Sequence, residues 1–80
     1  MNHIEEYEYA LECEDYYKAL RIAFNNARRK SSRSGRSFWL AEVKNCFLKL
    51  GIDKSQYDDK VRFADKYGNF APLEKFIDSL

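Results

Sequence analysis

Leu40-Ala41-Glu42-Val43-Lys44-Asn45-Cys46-Phe47-Leu48-Lys49-Leu50-Gly51 is the stretch whose reading decides the fold. Leu40, Val43, Phe47 and Leu50 recur at i, i+3, i+7 and i+10, the period of a helix that buries one face. Gly51 follows the last periodic residue, where a left-handed residue commonly stops a helix, and Ser37 stands where an N-cap belongs. Working back from this helix, Asp15 can cap a longer one. Its Tyr16, Leu20, Ala23 and Ala27 share a face, with Tyr17 and Phe24 beside it, and it ends near Arg29 or Lys30. Ile4, Tyr7 and Leu11, thickened by Tyr9 and Ala10, predict a short first helix from Asn2 to about Leu11. Working forward, Asp53 or Ser55 can cap a fourth helix buried through Tyr57, Val61 and Ala64 and ended by Gly68. Pro72 opens a last one, with Leu73, Phe76, Ile77 and Leu80 turned inward. No segment alternates as a strand does. The expected fold is all-α, a single domain over residues 1–80 with four to five short helices and one basic Ser/Arg-rich loop between the second and third.

Composition agrees with a packed helical domain. A chain of 80 residues buries only about 60% of the surface its unfolded form exposes, so its core must be apolar and tight. Apolar residues supply 45% of the chain, including six Tyr, six Phe and one Trp, far from the composition of a disordered segment. Charged residues supply 34%, and no apolar run approaches the roughly 20 residues of a membrane span. The start, Met1-Asn2-His3-Ile4-Glu5-Glu6, carries no basic leader followed by an apolar stretch, which predicts a cytoplasmic address and no membrane partner. Cys13 and Cys46 have no CxxC or Cys/His neighbours and read as reduced thiols, Cys46 on a buried face. Neither a metal nor another cofactor is expected.

Charge is segregated along the chain behind a formal net value of only +1. Glu5, Glu6, Glu8, Glu12, Glu14 and Asp15 form an acidic head with no Lys or Arg among residues 1–15. Residues 16–49 then carry nine Lys or Arg against Glu42 alone. Five of those cations fall in the nine residues Arg28-Arg29-Lys30-Ser31-Ser32-Arg33-Ser34-Gly35-Arg36. Long cations interleaved with hydroxyls and a glycine are groups that contact phosphate and sugar, and Phe38 and Trp39 follow at once as rings on which an unpaired base can stack. The expected contact residues are Arg28, Arg29, Lys30, Arg33, Arg36 and Trp39, with Lys44 and Lys49 extending the positive surface.

Catalysis is not expected. The single histidine, His3, lies near the terminus, no glycine-rich elbow or phosphate loop occurs, and Glu5 with Glu8 or Asp58 with Asp59 have the spacing of solvated helix faces. Asp15-Tyr16-Tyr17-Lys18-Ala19-Leu20 followed by Ala27 resembles the second-helix portion of a tetratricopeptide repeat over about a quarter of the chain. No echo follows at the repeat period of about 34 residues, so these residues read as a closely packed helical hairpin. A turn at Leu50-Gly51-Ile52-Asp53 between two helices has the order of a helix-turn-helix. However, Phe47 occupies the position where a small residue permits close approach. The functional expectation is a small non-enzymatic regulator or inhibitor, of the accessory type found in phages and mobile elements, docking on a macromolecular target through the basic segment 28–36. The alternative is a nucleic-acid binder that grips the phosphates of RNA or single strands without sequence specificity. Partners are thus a protein, RNA or both, and self-association of acidic head with basic middle is a further possibility.

Overall fold

The computed structural model describes residues 3–80, the side chain of His3 excepted, so the expected helix start at Asn2 lies outside the described residues. Five α-helices follow one another: α1 (His3–Glu12), α2 (Tyr16–Arg29), α3 (Arg33–Lys49), α4 (Asp58–Tyr67) and α5 (Ala71–Asp78), with a 3-10 turn at Lys54–Gln56 before α4. No strand forms among the described residues. None of these helices is long and apolar enough to cross a membrane.

Each boundary has a local cause. α1 ends in two reverse bonds, Glu14 N–H to the Leu11 carbonyl at 3.0 Å and Asp15 N–H to the Ala10 carbonyl at 2.9 Å, the pair that defines a Schellman motif. Glu14 therefore sits at φ 57°, a left-handed conformation that costs a residue with a Cβ roughly 1–2 kcal/mol. Asp15, one residue on, turns its carboxylate to the Lys18 N–H at 3.2 Å and caps α2. α3 stops in the same way as α1, Ile52 N–H reaching the Phe47 carbonyl at 3.0 Å with Gly51 at φ 76°, and Gly68 closes α4 at φ 67°. Pro72 lies in the first turn of α5, where its missing N–H leaves no bond unmade.

The basic segment departs from expectation. α3 begins at Arg33, four residues before Ser37, and its N-cap is Ser32, whose Oγ accepts from Gly35 N–H at 3.2 Å. Only Lys30, Ser31 and Ser32 separate α2 from α3. Ser and Gly made this stretch read as a loop, yet a serine with a free N–H three residues on is also what starts a helix. Ser37 is inside α3, its Oγ donating to Asp65 Oδ1 of α4 at 2.6 Å.

α2 lies centrally, packed on α1 and most extensively on α3, while α4 bridges α3 and α5. Ala19, Ala23 and Ala27 form a fully buried stripe along α2 beside Leu20 and Phe24, facing a core that includes Leu40, Val43, Phe47, Leu73 and Ile77. Phe47 stacks on Tyr57 with ring centroids 4.5 Å apart and meets Phe76 edge-on. The stripe expected on α1 is rotated, because Tyr7 and Ala10 are buried whereas Ile4 and Tyr9 face outward. Leu50 and Leu80, expected inward, are also exposed.

Tyr7 ties α1 to α3. Its hydroxyl donates to Glu42 Oε2 at 2.7 Å and touches Cys46 Sγ at 3.7 Å, and its ring meets Trp39 edge-on. Burial, then the bond to Glu42, pushes the phenol well above its ordinary 10.0. Burial likewise raises the Cys46 thiol, with the Tyr7 contact opposing it.

Two predictions follow from these links. Glu14→Gly relieves the left-handed strain and raises stability by about 0.5–1 kcal/mol, whereas Asp15→Ala lowers it by about 1 kcal/mol, both read from urea unfolding. Because Tyr7 keeps its proton in the fold where an unfolded tyrosine loses it, its contribution is complete below about pH 10. Above that it falls by up to about 1.4 kcal/mol per pH unit. Tyr7→Phe removes that component of the alkaline decline and costs about 1.5 kcal/mol at neutral pH.

Candidate functional site: the corner between α2 and α3

The basic segment divides into struts and free cations. Arg36 is a strut. Its guanidinium donates from Nη2 to the Asp65 carbonyl at 2.5 Å, with Nε 3.9 Å from Asp65 Oδ1, and its side chain is only 18% exposed. Asp65 belongs to the last turn of α4, whose carbonyls have no helical partner, so Arg36 supplies a donor and a positive charge at the negative end of that helix. Gly68 makes room for it, since a Cβ there would lie 3.3 Å from Arg36 Nη1.

Arg28 is a second strut. It pairs with Glu74 of α5 at 2.5 Å and lies over the Phe24 ring of its own helix. Two turns back, Arg21 pairs with Asp78 at 2.8 Å, so the two α2 arginines hold the first and last turns of α5. The bond to Asp78 raises the already high pKa of Arg21. Lys44, expected to widen the positive surface, is 3.6 Å from Asp58 at the start of α4. Lys49 is exposed and makes no ion pair among the described residues, but it closes the opposite end of α3, about 24 Å from Arg33 at helical rise. Trp39 is buried, 5% exposed, between Tyr7 and Phe38, so it offers no ring face for stacking.

What remains together is Arg29, Lys30 and Arg33. All three are exposed and none is paired among the described residues. They bracket the start of α3, where the backbone N–H groups of Arg33 and Ser34 have no acceptor among the described residues. A helix start carries a partial positive charge of roughly half a unit, so backbone and side chains add. Beside them lie two exposed apolar side chains: Phe38, 57% exposed and available as the stacking ring its sequence position suggests, and Ile4, 56% exposed, which the sequence places on the buried face of α1. A groove of about 470 Å³ opens here, lined by both of them together with Asn26, Lys30, Ser34 and Trp39. Asn26 is the missed residue. Its place on α2, two positions after Phe24 and one before Ala27, is inside a helix face read as apolar.

Among the described residues, the ion pairs of the basic middle do not come from the acidic head. Glu6, Glu8, Glu12 and Glu14 are exposed and make no ion pair among the described residues. The pairs that tie Arg21, Arg28, Arg36 and Lys44 down come from Asp78, Glu74, Asp65 and Asp58 of α4 and α5. Cys13 and Cys46 are both free thiols. Among the described residues no three His, Cys, Asp or Glu side chains gather as metal ligands.

Comparison of this chain with models of known protein families, with characterised proteins and with solved structures found no match. The short likeness of residues 15–27 to a tetratricopeptide helix therefore stands as packing alone, carried by the buried Ala19, Ala23 and Ala27.

The division between struts and free cations is measurable. Arg36→Ala removes a donor from a helix end and opens a half-buried space, costing about 1–2 kcal/mol in chemical unfolding, whereas Arg33→Ala changes stability by less than about 0.5 kcal/mol.

Proposed function

We propose that this chain is a small non-enzymatic regulator or inhibitor that docks on a protein target bearing acidic groups, through the corner where α2 gives way to α3. The observation that carries this reading is the trio Arg29, Lys30 and Arg33, exposed and unpaired beside the exposed apolar Ile4 and Phe38. Arginine next to an aromatic ring is the composition enriched in the centre of protein interfaces, where apolar contact supplies affinity and charge sets orientation. Three free cations, rather than the five of the sequence segment, are a small grip for a nucleic acid. Neutralising three phosphates gives a salt slope of only about −2.7 on duplex.

Single-stranded RNA is the second reading, and Phe38 favours it. A ring 57% exposed beside a helix start offers one base a stacking face and its phosphate a set of N–H donors.

Site-specific photocrosslinking in cells that carry the protein separates these readings. A photoreactive residue at position 33 should trap one protein target, one at Lys54 on the far side should not, and Arg29→Glu with Lys30→Glu should abolish trapping. Crosslinks to RNA in place of protein would support the second reading. Equal trapping from positions 33 and 54, or trapping indifferent to charge reversal, would remove the corner as a docking surface.

A further inference from the structure

We propose that the outer face of α4 is where two copies of this chain meet, lying antiparallel across a twofold axis that passes between Arg62 and Phe63. Val61 and Ala64 of this helix turn inward and are buried, while Asp59, Arg62, Phe63, Lys66 and Tyr67 are exposed. Their spacing of three and four residues puts these side chains on one stripe. A groove of about 370 Å³ runs among them, and every residue lining it belongs to α4. Rows of side chains with a groove between them are what a second helix packs into.

The stripe is apolar at its centre. Phe63 is 38% and Tyr67 64% exposed, with their ring centroids 5.0 Å apart. Adjoining rings that face water form a contiguous apolar patch, the kind of surface that marks a protein contact, and aromatic residues beside an arginine are enriched there.

The charges on the stripe select the partner. Asp59 stands one turn before Phe63, and Lys66 nearly one turn after it. When a second copy runs antiparallel about the point between Arg62 and Phe63, each Asp59 faces the other copy's Lys66, and the two Phe63 rings lie together at the axis. The face is thus its own complement, as a twofold contact requires. A parallel copy would set Asp59 on Asp59 and Lys66 on Lys66. A uniformly acidic partner would meet Asp59 and a uniformly basic one Arg62 and Lys66, so the face suits neither.

Both members of the pair are available. Lys66 makes no ion pair among the described residues and lies 5.4 Å from the centre of the Tyr67 ring. Asp59 is 3.9 Å from Lys60, but its side chain is 72% exposed, and Lys60 is itself turned to the Gln56 carbonyl and the Phe76 ring. Arg62 reaches back to its own Asp58 at 3.5 Å, which matches its charge at the rim of the contact.

Size sets the strength. α4 has ten residues, about 15 Å at helical rise, so one pair of helix faces buries well below the roughly 800 Å² per partner of a standard interface. The dimer is therefore weak. It uses none of Arg29, Lys30 and Arg33, so each dimer presents two docking corners.

Sedimentation velocity of the whole chain tests this. The parent should be dimeric near about 1 mM and monomeric near about 10 μM. Asp59→Lys and Lys66→Asp should each weaken self-association at least about tenfold, because like charges then oppose one another at both ends of the contact. Mixed in equal amounts, these two variants should pair with each other as well as the parent pairs with itself, since every contact is again between opposite charges. Should either fold poorly by circular dichroism, Tyr67→Ala, a change at an exposed ring, should weaken the dimer at unchanged melting temperature. A monomer at millimolar concentration, single variants that associate like the parent, no pairing in their mixture, or a parent-like dimer in Tyr67→Ala would overturn the proposal. Loss of the dimer with photocrosslinking from position 33 intact would leave the docking function standing.

Discussion

The rest of the structure depends on how closely α2 lets its neighbours approach. Ala19, Ala23 and Ala27 present single methyl groups at one-turn intervals and are wholly buried, so the backbone of α2 forms one wall of the core. Larger side chains there would force the helices apart, since well-packed interiors do not absorb extra volume without strain. The short passage from α2 through Lys30, Ser31 and Ser32 into α3 requires the two helices to be this near. Both the groove and the gathering of Arg29, Lys30 and Arg33 at one corner follow from that passage.

Charge organises the molecule in a second way. Along the chain the acidic head stands next to the basic middle, but in space the basic middle is held by carboxylates of α4 and α5. Exposed pairs of this kind contribute little stability each. Arg36 is different, because it is largely covered and its partner is the carbonyl end of a helix. Glu6, Glu8 and Glu12 of α1 and the cations of the corner therefore remain as two separate surfaces among the described residues, available to partners of opposite sign.

Much of the fold was legible in the sequence, and the reasons for the misses are physical. Five helices, the stops at Gly51 and Gly68, the cap at Asp15 and the start at Pro72 all rest on local rules, and all are present in the structure. The rotated face of α1 was missed because Ile4, Tyr7 and Leu11 and the face through Tyr7 and Ala10 overlap within one turn, and only contact with Trp39 and Glu42 chooses between them. The basic segment misled because its Ser and Gly content suits a loop as well as a capped helix start, and Asp65, which anchors Arg36 and Ser37, is about thirty residues away. Of the expected contact residues, Arg29, Lys30 and Arg33 gather at one corner, Lys49 lies apart, and Arg28, Arg36, Lys44 and Trp39 are engaged within the protein. Asn26 gave no sequence signal, since a single amide in an apolar stripe looks the same whether satisfied or not.

The division of the basic segment into a rigid helix start with fixed and free arginines is tested most directly by nuclear magnetic resonance of the arginine side-chain Nε–H groups. The account predicts a dispersed, slowly exchanging signal for Arg36 and fast-exchanging, averaged signals for Arg29 and Arg33. Averaged signals for all three would mean that residues 28–36 behave as the flexible loop their composition suggests, and the corner described above would not exist.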